Sequence, residues 1–114
     1  MYNPDKFIVL KIGGDRNPIY KVFATWVGGY LNGDRWRLNS GIVKVTQEGD
    51  LINFYGDSGS CYTCHVKTYG TNGYSQGVLD NIFAQANKQK ISIEVLPHDT
   101  DWVTFFEKIF GGEK

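Results

Sequence analysis

Hydrophobic and polar residues change their spacing once along this chain. Up to about residue 70 the apolar positions alternate with polar ones or form short runs bounded by glycine. From Ser75 they recur at helical intervals. The first pattern predicts strands and the second a helix. Lys6 to Ile12 (Lys-Phe-Ile-Val-Leu-Lys-Ile) is short, apolar and β-branched, which predicts a central strand covered on both faces. Gly13 to Pro18 reads as a turn, and Ile19 to Val27 resumes an extended pattern through Tyr20, Val22, Ala24 and Trp26. Gly28 to Asp34 is a glycine-rich loop. Arg35 to Leu38 is a short strand that stops at Asn39-Ser40-Gly41. Ile42 to Gln47 and Leu51 to Tyr55 flank Glu48-Gly49-Asp50, a hairpin signal. Ser60 to Thr68, rich in β-branched and aromatic residues, completes a meander of five or six mainly antiparallel strands.

Val78, Leu79, Ile82, Phe83 and Ala86 then form a stripe at i, i+1, i+4, i+5 and i+8, one face of a helix. Ser75 is the expected N-cap. Asp80 lies toward the positive end of the dipole, and Lys88 and Lys90 toward the negative end. Ile91, Ile93 and Val95 alternate with polar residues and predict one more strand, which Pro97 ends. Thr100 is the expected cap of a second helix, with Asp99 and Asp101 beside its dipole. Trp102, Phe105, Phe106 and Ile109 form that helix's buried face, and Gly111-Gly112 stops it. The expected fold is α+β in a single domain, 1–114: a twisted, mostly antiparallel sheet of about six strands with two C-terminal-half helices packed on one face. The other face is left to solvent or a partner.

Composition narrows the function classes. Twelve basic residues balance twelve acidic ones, so no net field draws the chain to nucleic acid or an acidic membrane. No apolar run approaches the length of a membrane span. Fourteen glycines and 15% aromatic residues suit a sheet with tight turns. Two cysteines do not make a disulfide scaffold, and no apolar export segment precedes Lys6, so a reducing cytoplasm is the expected location.

Three chemical signatures meet between Gly56 and Gly70. Cys61-Tyr62-Thr63-Cys64-His65 has the spacing that attaches haem covalently. Attachment needs both thiols on one porphyrin edge, usually from a helical turn. A strand here would instead point Cys61 and Cys64, three apart, to opposite faces. A second axial ligand would have to be Met1 or His98. A zinc site would draw on Cys61, Cys64, His65 and His98, but only one close-spaced pair is present. Gly56-Asp57-Ser58-Gly59-Ser60 is similar to the nucleophile segment of trypsin-like proteases. Those need two β-barrels and a histidine before the serine, so the run reads as a turn. On a strand, Cys64 shares a face with Tyr62, Val66 and Thr68. Cys61 shares the more polar face with Thr63, His65 and Lys67. Cys64 is therefore expected to be the buried thiol and Cys61 the accessible one.

The remaining candidates are weaker. His98 with Asp99 and Asp101 is an acid–base or metal pattern, although aspartates before a helix usually cap it. Tyr30, Arg35, Trp36 and Arg37 combine aromatic and cationic groups as single-strand nucleic-acid binders do, but the balanced charge favours a hairpin with solvated arginines. No phosphate loop or dinucleotide fingerprint occurs. Trp36-Arg37-Leu38-Asn39-Ser40-Gly41-Ile42, Phe54-Tyr55-Gly56, Ser58-Gly59-Ser60, Tyr62, Cys64 and Tyr69-Gly70 form a pattern. It resembles that of small uncharacterised accessory proteins of tailed bacteriophages. The resemblance implies an accessory protein in the cytoplasm of an infected bacterium that acts by binding a host factor. The expectation is thus a small non-enzymatic module without a cofactor. It binds a protein through Tyr30, Arg35, Trp36 and Tyr74. One alternative is a small enzyme or ligand binder using His65 with Asp57 or Ser58. A second is a haem or zinc protein through Cys61, Cys64 and His65.

Overall fold

The computed structural model describes residues 1–28 and 33–111. In chain order the elements are β1 (Lys6–Ile12), β2 (Ile19–Trp26), β3 (Arg35–Leu38), β4 (Ile42–Glu48), β5 (Leu51–Gly56), β6 (Cys61–His65), a 3-10 turn (Val66–Thr68), α1 (Gly73–Lys88), β7 (Ile93–Val95) and α2 (Trp102–Phe110). The α+β class, the antiparallel pairing and the placing of both helices in the C-terminal half are as expected. The strands divide into two sheets, however: a four-stranded sheet in the order β3-β2-β1-β7 and a three-stranded sheet β4-β5-β6.

The reason lies in β1. Phe7, Ile8, Val9 and Leu10 are all buried. Successive side chains of a strand face opposite ways. Phe7 and Val9 enter one core, with Val22, Phe54, Cys64, Trp102 and Phe106 among its members. Ile8 and Leu10 enter another, with Phe23 and Leu79. The four-stranded sheet is therefore a middle layer. Helix α1 covers one of its faces, and the three-stranded sheet with α2 covers the other. The single expected sheet with both helices on one face is corrected here: both faces of β1 are apolar and each needs a cover, so the strands split into two sheets and the two helices lie on opposite sides of the four-stranded one.

Turn chemistry follows the sequence closely. Gly49 takes φ 60°, as primed hairpin turns require, and joins Glu48 and Leu51 in register. Gly59 (φ 93°) closes the turn at 56–60, where the Gly56 N–H donates to Ser60 O at 2.8 Å. The first helix starts earlier than expected. Asn72 is its N-cap and accepts from the Ser75 N–H at 2.8 Å, while the Ser75 hydroxyl accepts from the Asn72 N–H at 3.0 Å. Ser75 is thus the return half of a capping box. At the other end, the Ile91 N–H donates to Ala86 O and the Lys90 N–H to Asn87 O. Lys90 takes φ 59° to make this Schellman closure, so β7 begins only at Ile93. Helix α2 is capped by Asp101, which accepts from the Thr104 N–H at 3.3 Å; Thr100 turns back to donate to Pro97 O at 2.7 Å.

Candidate functional site

The strand expected over Ser60 to Thr68 ends at His65, where the 3-10 turn begins. Within it the thiols behave as the alternation requires. Cys64 and Tyr62 are buried against Phe54 and Phe7, and Cys61 is half-exposed. Burial pushes the Cys64 thiol far up, with the neighbouring Cys61 adding to it. Val66 and Thr68, expected on the Cys64 face, leave the strand and are half-buried in the turn. His65 faces solvent, its Nδ1 accepting from the Lys67 N–H at 3.1 Å and its Nε2 lying 3.9 Å from Asp50. Cys61, Cys64, His65 and His98 are not brought together. Among the described residues no group of three or more His, Cys, Asp or Glu side chains is placed to hold a metal.

The pairing of His65 with Asp57 or Ser58 is not assembled either. His65 pairs with Leu51 at one end of the β5–β6 hairpin, and Asp57 and Ser58 occupy the turn at the other. Four strand steps, about 14 Å, lie between them. Asp101 is used as a cap, while His98 and Asp99 are exposed in the loop before it.

Of the expected contact residues, Tyr30 lies outside the described residues. Arg35 and Trp36 sit on β3, an edge strand, and Tyr74 is exposed in the first turn of α1. Trp36 stacks on Phe23 with ring centroids 5.7 Å apart, on the α1 side of the sheet. Arg37 points the other way, its guanidinium 4.7 Å from the Tyr2 ring centroid. Arg35, Trp36 and Arg37 line one hollow with Tyr2 and Trp26; Tyr74 does not.

A more continuous apolar surface lies elsewhere. Trp102, Phe106 and Phe110 are spaced four apart and make one stripe of α2. Trp102 and Phe106 are buried in the core, but Phe110, stacked on Phe106 at 5.6 Å, is 41% exposed. The stripe overruns the core by one turn. Beside it runs β4, an edge strand bonded, among the described strands, to β5 alone. Ladder pairing passes from Ile42↔Gly56 to Lys44↔Tyr55, so Val43 is an extra, bulged residue. The bulge turns Val43 outward, 48% exposed. Between β4 and α2 lies a groove of about 840 Å³ walled by Val43, Val45, Phe106 and Phe110, with Lys44 and Glu107 on its rims. A second hollow, lined by Ile19 (52% exposed), continues it across Val43 and Phe110. Sequence reading missed this surface. Phe110 was legible as the next step of the Trp102–Phe106 stripe; the bulge at Val43 was not.

No protein-family model matches the chain, nor does any curated protein or solved structure.

Proposed function

We propose that this protein is a non-enzymatic binding module that captures an extended, apolar segment of a protein partner along β4. The observation that carries the reading is the groove where an unpaired strand edge runs beside exposed Val43 and Phe110. The outward N–H and C=O groups of an edge strand call for a backbone partner. A segment that adds as a further strand supplies one, and its alternate side chains fill the pockets of the groove. The exposed stripe of α2 forms the wall on which such side chains rest. The chemistry of the scattered His65, Asp57, Ser58, Cys61 and Cys64 gives no competing catalytic arrangement. The accessory role implied by the bacteriophage resemblance belongs with this reading: the partner is a host protein of the bacterial cytoplasm, and binding alters its activity. Arg35, Trp36 and Tyr74 form a separate exposed set that extends the contact if the partner wraps around the β3 edge.

The test is capture from bacterial lysate by the intact chain and by a Val43→Glu variant, followed by hydrogen exchange on the isolated complex. The expected result is a partner retained by the wild type and lost by the variant, with amides 43–46 protected. Equal retention by both, or protection elsewhere, overturns the reading. Self-association through β4, seen as a concentration-dependent dimer in sedimentation, does so too.

A further inference from the structure

The edge of β4 specifies which residues its occupant carries. Tyr2, at the far side of the three-stranded sheet, sets the phase of the ladder. Its N–H donates to Cys61 O and its carbonyl accepts from the Thr63 N–H, both at 2.8 Å. Cys61 and Thr63 therefore bond away from β5. In an antiparallel ladder the backbone groups of successive residues point to alternate sides. Tyr62 and Cys64 are then the residues bonded to Phe54 and Ile52, and Asn53 and Tyr55 are bonded to Thr46 and Lys44. Asp57 keeps this phase, its N–H donating to Gly41 O at 2.9 Å. Val45 and Gln47 are left with both N–H and C=O directed outward.

The same alternation sorts the side chains of β4. Val45 is buried on the core side, where Phe106 and Phe110 wall the groove and Glu107 stands on its α2 rim. Lys44, Thr46 and Glu48 occupy the outer face. There the Lys44 ammonium lies 5.5 Å from the Tyr55 ring centroid, and Thr46 accepts from Asn53 Nδ2 at 3.2 Å. Lys44 and Glu48 are exposed, and neither has a salt-bridge partner among the described residues. A residue added directly opposite either one would have its Cβ about 5 Å away on the same face.

We infer, resting on the reading that β4 takes up a partner strand, that the captured segment runs antiparallel to β4 with an apolar residue opposite Val45, an acidic residue opposite Lys44 and a basic residue opposite Glu48. From its N-terminus the segment reads basic, two unspecified residues, apolar, acidic. Its backbone completes close hydrogen-bonded pairs at Val45 and Gln47. The charges fix both direction and register. Run parallel, the same segment sets its basic residue against Lys44 and its acidic one against Glu48. Slipped by one residue, it turns the acidic side chain to the face of Glu107 and the apolar one to solvent. A second copy of β4 meets the charge rule, Lys44 against Glu48, but sets Gln47 opposite Val45, an amide where the groove is apolar. The occupant is therefore a segment of another protein.

The experiment titrates the ¹⁵N-labelled full chain with two synthetic peptides blocked at both ends, Lys-Thr-Thr-Val-Glu-Val and its charge-swapped form Glu-Thr-Thr-Val-Lys-Val. The swapped peptide satisfies the charges only in parallel, where it sets a threonine opposite Val45. The expected result is saturable shifts centred on the Val45 and Gln47 amides, with the first peptide binding about three- to tenfold more tightly. A variant carrying Lys44→Glu and Glu48→Lys, both at exposed positions, should reverse that order. Equal affinity for the two peptides at these amides, or an unreversed order in the variant, overturns the inference and leaves the groove as a site for apolar strands of any charge. Saturable binding of neither peptide also overturns it, and the lysate capture with Val43→Glu then decides the wider reading separately. Saturable shifts away from β4 overturn both.

Discussion

The two sheets are built from the same kind of strand and end up in different environments. In the four-stranded sheet, four consecutive residues of β1 are buried, because α1 lies on one face and the second sheet with α2 on the other. In the three-stranded sheet, burial alternates strictly along β5 and β6: Ile52, Phe54, Tyr62 and Cys64 are buried, and Asn53, Tyr55, Cys61 and Thr63 are half-exposed. The lesson is that the layer count, and not strand composition, sets how many side chains of a strand are committed to the core. The sheet with one free face is also the one that carries the open edge and the groove. A layer that is covered on both faces keeps only its edge strands, β3 and β7, for contact.

The largest effect expected from breaking this contrast is at Phe54, which is fully buried between Phe7, Trp102 and Phe106. Phe54→Ala should cost about 3–5 kcal/mol, measured by denaturant unfolding, while Tyr55→Ala next to it should cost about 1 kcal/mol or less. The corresponding neighbours on β1 should not differ in this way. Val9→Ala and Leu10→Ala should each be destabilising by about 2–4 kcal/mol, because both faces are packed. Equal losses at Phe54 and Tyr55 would show a covered outer face on the smaller sheet.

Tyr69 joins the layers and sharpens the comparison by pH. Its hydroxyl accepts from the Val9 N–H at 3.0 Å and donates to Leu96 O at 2.7 Å. Burial raises its pKa from 10.0 to about 12, against a smaller opposing contribution from the Val9 hydrogen bond. The folded state therefore holds this proton more tightly than the unfolded chain. Its contribution to stability is fully present below pH 10 and is lost as pH rises from about 10 to about 12. Tyr69→Phe should cost about 1–3 kcal/mol at neutral pH by stranding two backbone groups, and it should flatten that part of the alkaline stability profile. An unchanged alkaline slope would separate Tyr69 from the joint.

The cysteines test the alternation at single-residue scale. Cys64→Ser should destabilise by roughly 1–3 kcal/mol, since it places a poorly paired hydroxyl in the core. Cys61→Ser should stay within about 0.5 kcal/mol. Native-state thiol labelling should modify Cys61 quickly and Cys64 only on unfolding, because burial both shields Cys64 and raises its pKa. Fast labelling of Cys64 would turn the strand inside out.

By itself the sequence determined what is local. A short apolar run placed β1, extended and alternating patterns placed β2, β5 and β6, glycine placed the turns at Gly49 and Gly59, and the 3.6-residue stripe placed α1 and α2. Alternation also told Cys61 from Cys64. These depend on backbone geometry within a few residues, and that geometry is written in neighbouring side chains. Only the tertiary structure decided how the strands divide into two sheets, which face each helix covers, and where the candidate sites lie. β1 buried on both faces is compatible with several layer orders, and nothing in Ser75 to Lys88 says which face of the sheet it meets. The bulge at Val43 depends on how β4 is held against β5. The crowding of Gly56 by the Ser40 and Ser60 hydroxyls depends on two segments meeting across a sheet boundary. Both arise from contacts between residues far apart in the chain, where no periodicity carries the information.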